Sequence, residues 1–304
     1  MKKEYLFVVL SGILSGFIVF LGLIFANMGL SLYQISLFPI VLSLIILIPF
    51  VFIKKYRPKN FLKPMWIFYG FVAAITVLAQ FAAVILGVPV SIVVLLLYTQ
   101  PLWTLFISKV LMKEKTTKNG ILACIIVLIG MIILVNPFTS GGIGSWLGVI
   151  IALIGGLGLS GWVTIGSHLS KKGNHPITTK FLESVFTSFF LLVFYPILLI
   201  FVKDSTFSSL SLNLSGIMWI ILFFYALVIL TFNHLLYLKG VEKVPTMSAG
   251  IILLLEPVIA AILALIFLSQ PLTTNIILGG ILILIANYLV IRSGKSEVPE
   301  IAIQ

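Results

Sequence analysis

The chain has 304 residues, of which 61% are hydrophobic and only 9% are charged, and its formal net charge at pH 7 is +11. A water-soluble domain of this length and composition would expose large apolar patches, which soluble proteins avoid. The composition therefore excludes a soluble fold and indicates a protein that lies in a lipid bilayer.

Ten apolar runs follow one another along the chain with little sequence between them. Each is close to the roughly 20 residues that a helix needs to cross a hydrocarbon core of about 30 Å. The first follows Lys2 and Lys3 and is longer than the apolar part of a signal peptide, so we predict that it is retained. The sequence predicts an all-α membrane protein with ten transmembrane helices. They lie near residues 5–26, 32–53, 65–86, 90–111, 118–135, 146–169, 178–202, 214–238, 247–268 and 274–292.

The basic residues alternate with these runs. Almost all of the 19 Lys and Arg residues lie at the N-terminus, at the C-terminus or in every second loop, and Lys109 and Lys203 are the exceptions. Because cytoplasmic loops carry the excess of Lys and Arg, both termini are predicted to be cytoplasmic. The positive charge is therefore interpreted as a topology signal, and no nucleic-acid partner is predicted.

The second half of the chain repeats the first. Residues 88–135 align without a gap with residues 244–291. Each half contains five helices, and an odd number means that the second half enters the membrane from the opposite face. The sequence thus predicts two inverted five-helix repeats, an arrangement in which a substrate binds between the repeats. The residues at matching positions include Pro89 and Pro245, Pro101 and Pro257, and Gln100 and Glu256.

The predicted division of the chain follows from the repeat. Residues 1–137 form the first repeat and residues 146–292 the second, with a Gly- and Ser-rich external linker at 138–145 and a cytoplasmic tail at 293–304. The opening helices align at a different offset, which places Gly12 on Gly156. Small residues at such positions allow a neighbouring backbone to approach closely.

Two polar residues stand beside prolines inside predicted helices. Proline removes an amide hydrogen and clashes with the carbonyl four residues earlier, so Pro101 and Pro257 are predicted to kink their helices. The backbone groups that a proline leaves without a partner are tolerated in a membrane only where protein or cavity water forms hydrogen bonds with them. We therefore predict a central substrate site at Gln100 and Glu256, where the Glu256 carboxylate could hold a substrate ammonium group or a coupling proton.

Further polar and aromatic residues are candidates for the lining of this site, although packing alone explains each of them individually. Glu183, near the cytoplasmic end of the seventh run, is predicted to pair with Lys180 three residues earlier or to reach the interface. His234 is close enough to the end of its run to favour a hydrated structural role. The candidates are Tyr98, Trp103, Gln80, Trp162, Tyr225, Asn233, His234, Asn287 and Tyr288.

Motifs for other chemistries are weak. Residues 156–161 match the dinucleotide pattern G-x-G-x-x-G, but they lie in an apolar run without a preceding strand. They also contain a G-x-S-G that resembles the nucleophile motif of rhomboid intramembrane proteases, with Ser160 as nucleophile and His234 as the available base. The single cysteine, Cys124, allows no internal disulfide. We predict no cofactor, no metal and no enzymatic activity.

The paired segments resemble the drug/metabolite transporter superfamily, specifically its EamA-type members. The resemblance rests on Val88-Pro89-Val90-Ser91 through Tyr98-Thr99-Gln100-Pro101-Leu102, then Lys113-Glu114-Lys115, and on Val244-Pro245-Thr246-Met247-Ser248 through Leu255-Glu256-Pro257-Val258. It implies ten helices around a central cavity, alternating access, and often export of amino acids or related metabolites from bacteria. Glu114 fits the glutamate that commonly ends the segment after the kinked helix, whereas the second half has Gln270 there.

The sequence thus predicts a secondary transporter in the cytoplasmic membrane of a prokaryote. Its partners would be membrane lipid and a small polar or amphipathic organic solute, with amino acids or related metabolites as the expected class and export as the expected direction. A lipid or drug exporter of the same fold, a passive channel and an intramembrane serine protease remain as alternatives. A homodimer is left open.

Overall fold

The computed structural model of the protein describes residues 3–58, 61–114, 117–139, 144–201, 204–269 and 273–293. Within these ranges ten helices are long and apolar enough to cross a membrane, which confirms the predicted number. They are α1 (Lys3–Asn27), α2 (Leu32–Val51), α3 (Pro64–Ile85), α4 in two segments (α4a, Val90–Leu97, and α4b, Gln100–Leu111), α5 (Lys118–Val135), α6 (Trp146–Lys171), α7 (Pro176–Phe201), α8 (Gly216–Gly240), α9 in two segments (α9a, Thr246–Leu253, and α9b, Leu255–Leu268) and α10 (Thr274–Ser293).

These segments are helical because an apolar solvent offers their backbone no other hydrogen-bond partner. Several helices begin at a hydroxyl side chain that accepts a hydrogen bond from the first turn. Ser31 caps α2, Thr117 caps α5, Ser145 caps α6 and Ser215 caps α8. Such a cap supplies an acceptor for one of the amide groups that the first turn leaves without an intrahelical partner.

Two of the ten helices are interrupted. Helix α4 breaks at Tyr98 and Thr99, and α9 breaks at Leu254. The interruptions precede Pro101 and Pro257 by two and three residues, which is where a proline removes a hydrogen bond and crowds the preceding turn. The matching prolines of the two halves therefore coincide with matching breaks.

Helix α8 contains an irregularity that the sequence did not predict. Its middle, Tyr225–Phe232, is a π-helix between the α-helical segments Gly216–Phe224 and Asn233–Gly240. The amide of Asn233 accordingly reaches the carbonyl of Val228, five residues earlier. π-helical segments are rare and are frequently found at functional sites.

The opening helix of each half packs against the interrupted helix of the other half. Helix α1 lies along both segments of α9, and α6 lies along both segments of α4. Close approach is possible because the contact positions are glycines. A Cβ on Gly12 would lie 2.8 Å from the carbonyl oxygen of Ile252, and one on Gly156 would lie 2.6 Å from that of Leu96. Both glycines thus face the last turn before a break.

The predicted linker and tail lie mostly outside the described residues. Residues 140–143 of the linker, residues 294–304 of the tail and Gln270 are not described. Where the first repeat joins the linker, Pro137–Thr139 forms a single 3₁₀ turn. Near the end of the linker, Gly144 has a positive φ of 70° and packs on the backbone of Val88, where a Cβ would be only 2.9 Å from the Val88 Cα.

Candidate functional site

The carboxylate of Glu256 lies where the two helix breaks meet. Glu256 is the second residue of α9b and is partly exposed. Its side chain lies close enough to the hydroxyl of Tyr98, the residue that follows α4a, to interact with it. Tyr225, the first residue of the π-helical segment of α8, is close enough to the carboxylate to interact with it electrostatically. The tertiary structure therefore brings together three of the residues that the sequence singled out.

Helix α1 completes these surroundings from the opposite half of the chain. A Cβ on Gly16 would lie 3.0 Å from the carbonyl oxygen of Glu256, so the backbone of α1 passes directly beside the acidic residue. Residues of three other helices, α1, α4 and α8, therefore lie around Glu256. A carboxylate is costly inside a membrane unless it is paired or hydrated, and this one can bind an ammonium group or a proton.

Gln100, the counterpart of Glu256 in the repeat, makes different contacts. It is 2% exposed, and its amide donates a hydrogen bond of 2.5 Å to the hydroxyl of Thr104. That hydroxyl lies 2.9 Å from the hydroxyl of Ser160 on α6. On its other side Gln100 packs against Gly250, where a Cβ would meet Nε2 at 2.6 Å. Gln100 therefore joins α4b, α6 and α9a. Its role in substrate binding remains a prediction.

The other predicted lining residues are dispersed. Trp103 donates from its indole nitrogen to the hydroxyl of Thr99, in the break of α4, at 3.1 Å. Gln80 is partly exposed on α3. Asn287 is buried in α10 and donates to the carbonyl of Ile283 in the same helix. Tyr288 is 60% exposed on the outer side of α10, away from the centre.

A second polar cluster lies near the ends of α3, α6, α7 and α8. The predicted pairing of Lys180 with Glu183 is present at 2.8 Å, but both residues are buried rather than extended to an interface. His234 is also buried, at 5% exposed, so the expectation of a hydrated position was wrong. The ring is covered because Tyr69 of α3 and Trp162 of α6 pack against it and Glu183 of α7 lies 3.9 Å away.

The remaining candidates on α6 and α8 have structural partners. The Trp162 ring lies 4.7 Å from the ring of His234, centroid to centroid. Asn233 links α8 to α1, because it accepts from the hydroxyl of Ser11 at 2.5 Å and donates to that of Ser15 at 3.2 Å. Ser160 bonds Thr104, and His234 lies within hydrogen-bond distance of Tyr69, so the structure does not join Ser160 and His234 as a catalytic pair.

The basic loops gather at one end of the bundle, which we call the basic end. Helices α1, α3, α5, α7 and α9 begin there. Lys243, after α8, pairs with Glu4 at 2.8 Å, and this partner raises the pKa of the exposed Lys243 side chain. The hydroxyl of Thr178 donates to the carbonyl of Tyr56 at 2.7 Å, which ties α7 to the loop after α2.

At the basic end, Glu114 closes the start of α9. Its carboxylate accepts hydrogen bonds from the amide of Thr246, at 3.0 Å, and from the Thr246 hydroxyl, at 2.8 Å, and it pairs with Lys171 at the end of α6. Helix α9a follows Pro245 and has no cap from its own N-cap side chain. The sequence identified Glu114 only through a family resemblance, because residues 114 and 246 are too distant in the chain for a local pattern to relate them.

We expect Glu114→Ala to lower the free energy of unfolding by about 1–2 kcal/mol, since it removes the cap of α9 and leaves Lys171 without its carboxylate. Unfolding in mixed detergent micelles measures the effect. Glu242→Ala is the matched control, because Glu242 pairs with the exposed Lys239 at the same end and should cost about 0.5 kcal/mol or less. Equal losses in both variants would contradict the capping role.

The described ranges contain ten membrane-length helices, two of them interrupted near matching prolines, which is a pattern typical of membrane transporters. The chain belongs to the EamA-like transporter family, which matches residues 2–136 and 146–292. The family match thus covers both halves of the chain and agrees with the resemblance found in the sequence.

Two relatives carry the same class in their names, and a solved structure shares the fold. An "Uncharacterized transporter" of Clostridium kluyveri is 25% identical over 308 residues, which cover 97% of this chain and 95% of that protein. Another of that name, from Archaeoglobus fulgidus, is 27% identical over 193 residues, or 63% of this chain and 64% of that protein. A crystal structure matches with a TM-score of 0.73 over 95% of this chain and 98% of the other at 12% identity, which shows the fold alone.

Proposed function

We propose that the protein is a secondary carrier that exports a small polar or amphipathic organic solute, of the class of amino acids and related metabolites, by alternating access. The observation that carries this proposal is the position of Glu256. Its carboxylate adjoins the break of α9, lies beside Tyr98 at the break of α4, and adjoins the π-helical segment of α8. An organic ammonium group fits an acidic site with phenolic neighbours, through an ion pair and cation–π contacts.

The packing of the opening helix of each half against the broken helix of the other half supports alternating access. Helix α1 packs on α9 and α6 packs on α4, with Gly12 and Gly156 at equivalent places against the breaks. In the proposed inverted repeat with cytoplasmic termini, these pairs are related by a pseudo-two-fold axis in the membrane plane. The smooth glycine contacts would then let one helix pair, α1 with α9 or α6 with α4, tilt while the other pair stays closed.

The proposed location is the cytoplasmic membrane of a prokaryote. The two relatives come from a bacterium and an archaeon, and the basic end would face the cytoplasm. In that orientation Glu114, Lys171 and Thr246 close the cytoplasmic side of the carrier.

A thermal-shift screen tests the solute class directly. We expect an amino acid or a related cationic metabolite to stabilise the purified protein, by roughly 2.7 kcal/mol when present at about 100 times its dissociation constant. The screen measures melting in detergent against amino acids, polyamines and carboxylic acids. Stabilisation by carboxylic acids only, with none by ammonium compounds, would contradict the proposed role of Glu256.

One observation favours the alternative of a lipid or drug exporter. A pocket of about 420 Å³ between α2, α7 and the start of α8 has apolar side chains on all sides, among them Phe38, Leu192 and Trp219. Such a pocket suits an acyl chain or an apolar drug better than an amino acid. Amphipathic dyes added to the same screen distinguish the alternatives, because only an exporter of apolar compounds should be stabilised by the dyes alone.

A further inference from the structure

The buried cluster at the basic end holds charged and titratable groups that the proposed solute site does not use. It lies where α3, α6, α7 and α8 meet. Lys180 and Glu183 are 4% and 5% exposed, and His234, which lies between them and α3, is 5% exposed. Burial of two full charges is costly even when they are paired. The cost suggests a role other than stability.

The His234 ring has a polar partner on each side. Its Nε2 lies 3.1 Å from the hydroxyl of Tyr69 on α3, and its Nδ1 lies 3.9 Å from Oε2 of Glu183 on α7. The same Oε2 accepts a hydrogen bond of 2.8 Å from Lys180 and a longer one, 3.4 Å, from Ser184. Glu183 is therefore bound to Lys180 and stands just beyond hydrogen-bond distance of the imidazole.

Each helix that packs around His234 places a polar, charged or aromatic group near its ring. Tyr69 comes from α3, Lys180 and Glu183 come from α7, and Tyr237 lies on α8 itself with its ring centroid 6.0 Å away. Helix α6 contributes the uncharged Trp162 ring. Helix α1, which also packs along this part of α8, contributes the hydroxyls that bind neighbouring Asn233. Lys180 is thus the cation that opposes a charge on the imidazole, and Glu183 the anion that favours it.

We propose that His234 and Glu183 form a proton-binding site at the basic end, separate from Glu256. The proton adds to the imidazole nitrogen that lacks one. The resulting imidazolium donates from Nδ1 toward the Glu183 carboxylate and from Nε2 to the Tyr69 oxygen. No bond other than N–H is made, and Lys180 keeps its proton but shares the carboxylate.

The geometry couples this proton to a movement of α8. A charge-assisted hydrogen bond has a typical length of about 2.7–2.9 Å, so we expect the present distance of 3.9 Å to shorten when the imidazole becomes charged. The shift draws α8 toward α7. The π-helical segment directly before His234 begins at Tyr225, beside Glu256, roughly 10–13 Å away along the helix. Protonation of His234 at one end of the π-helical segment therefore changes the position of Tyr225 at the solute site.

Nitrogen-15 NMR of histidine-labelled protein in lipid nanodiscs tests the site without any solute, so its outcome is independent of the proposed transport function. The chain has three histidines, and loss of one signal in His234→Gln assigns the resonance. Glu183→Gln removes the favourable charge and Lys180→Gln removes the opposing one. The two variants are matched, since each replaces one member of the same ion pair with an amide.

We expect shifts of opposite sign. Compared with the wild type, the proton affinity of His234 should rise at least tenfold in Lys180→Gln and should fall at least tenfold in Glu183→Gln. A role limited to packing would move both variants in the same direction or neither, and either result would overturn the proposal. A proton affinity of His234 that does not change in Lys180→Gln would also overturn it. Because Glu183→Gln leaves Lys180 buried without a partner, Lys180→Gln is decisive if only that variant folds.

Discussion

Replacing Glu256 with Gln is expected to abolish the response of solute transport to a pH gradient while leaving a folded protein. The amide keeps the size of the side chain and can still accept a hydrogen bond from Tyr98, but it can neither carry a negative charge nor release a proton. Uptake into proteoliposomes of the solute that stabilises the wild-type protein, measured with and without an imposed gradient, should show at least a tenfold loss of gradient-driven transport.

The control for this change is Glu242→Gln. It makes the same chemical replacement at an ion pair with Lys239 in the loop after α8, far from the helix breaks, and it should transport as the wild type does. An unchanged gradient response in Glu256→Gln would contradict proton coupling at the central carboxylate. Retained coupling with weakened solute binding would instead assign Glu256 to the ammonium group alone.

The second large effect is expected at Gly12, where α1 meets the break of α9. In Gly12→Ala the new Cβ would lie 2.8 Å from the carbonyl oxygen of Ile252, which is backbone and cannot rotate away. Overpacking of this kind costs about 1–3 kcal/mol. We expect a net loss of about 1–2 kcal/mol in the free energy of unfolding, because alanine regains up to about 1 kcal/mol of helix propensity, together with a several-fold fall in transport rate.

Helix α1 offers its own control in Gly22, where a Cβ would meet nothing within 4 Å. Gly22→Ala should leave transport unchanged and should stabilise the protein slightly through helix propensity. Unfolding in mixed micelles and the proteoliposome assay measure both variants. If Gly12→Ala matched Gly22→Ala in both measurements, the contact between α1 and the break of α9 would not matter for function.

The parts of this protein that the sequence determined are those fixed by local chemistry. Lipid offers no hydrogen bonds, so ten apolar runs had to become ten helices. Pro101 and Pro257 lack the amide hydrogens that helices need, and both helices break just before them. Lys180 and Glu183 are three residues apart on one helix, and their pairing was predictable for that reason.

Only the tertiary structure decided which polar groups meet. Glu256 lies beside Tyr98, whereas its repeat counterpart Gln100 donates a hydrogen bond to Thr104. His234 is buried beside Glu183, and Glu114 caps α9 from a distant loop. These helices are apolar on nearly every side, so their sequences carry little sign of which face points inward. The rotation of each helix comes from close packing of small residues and from polar pairs between helices, and both require the complete fold.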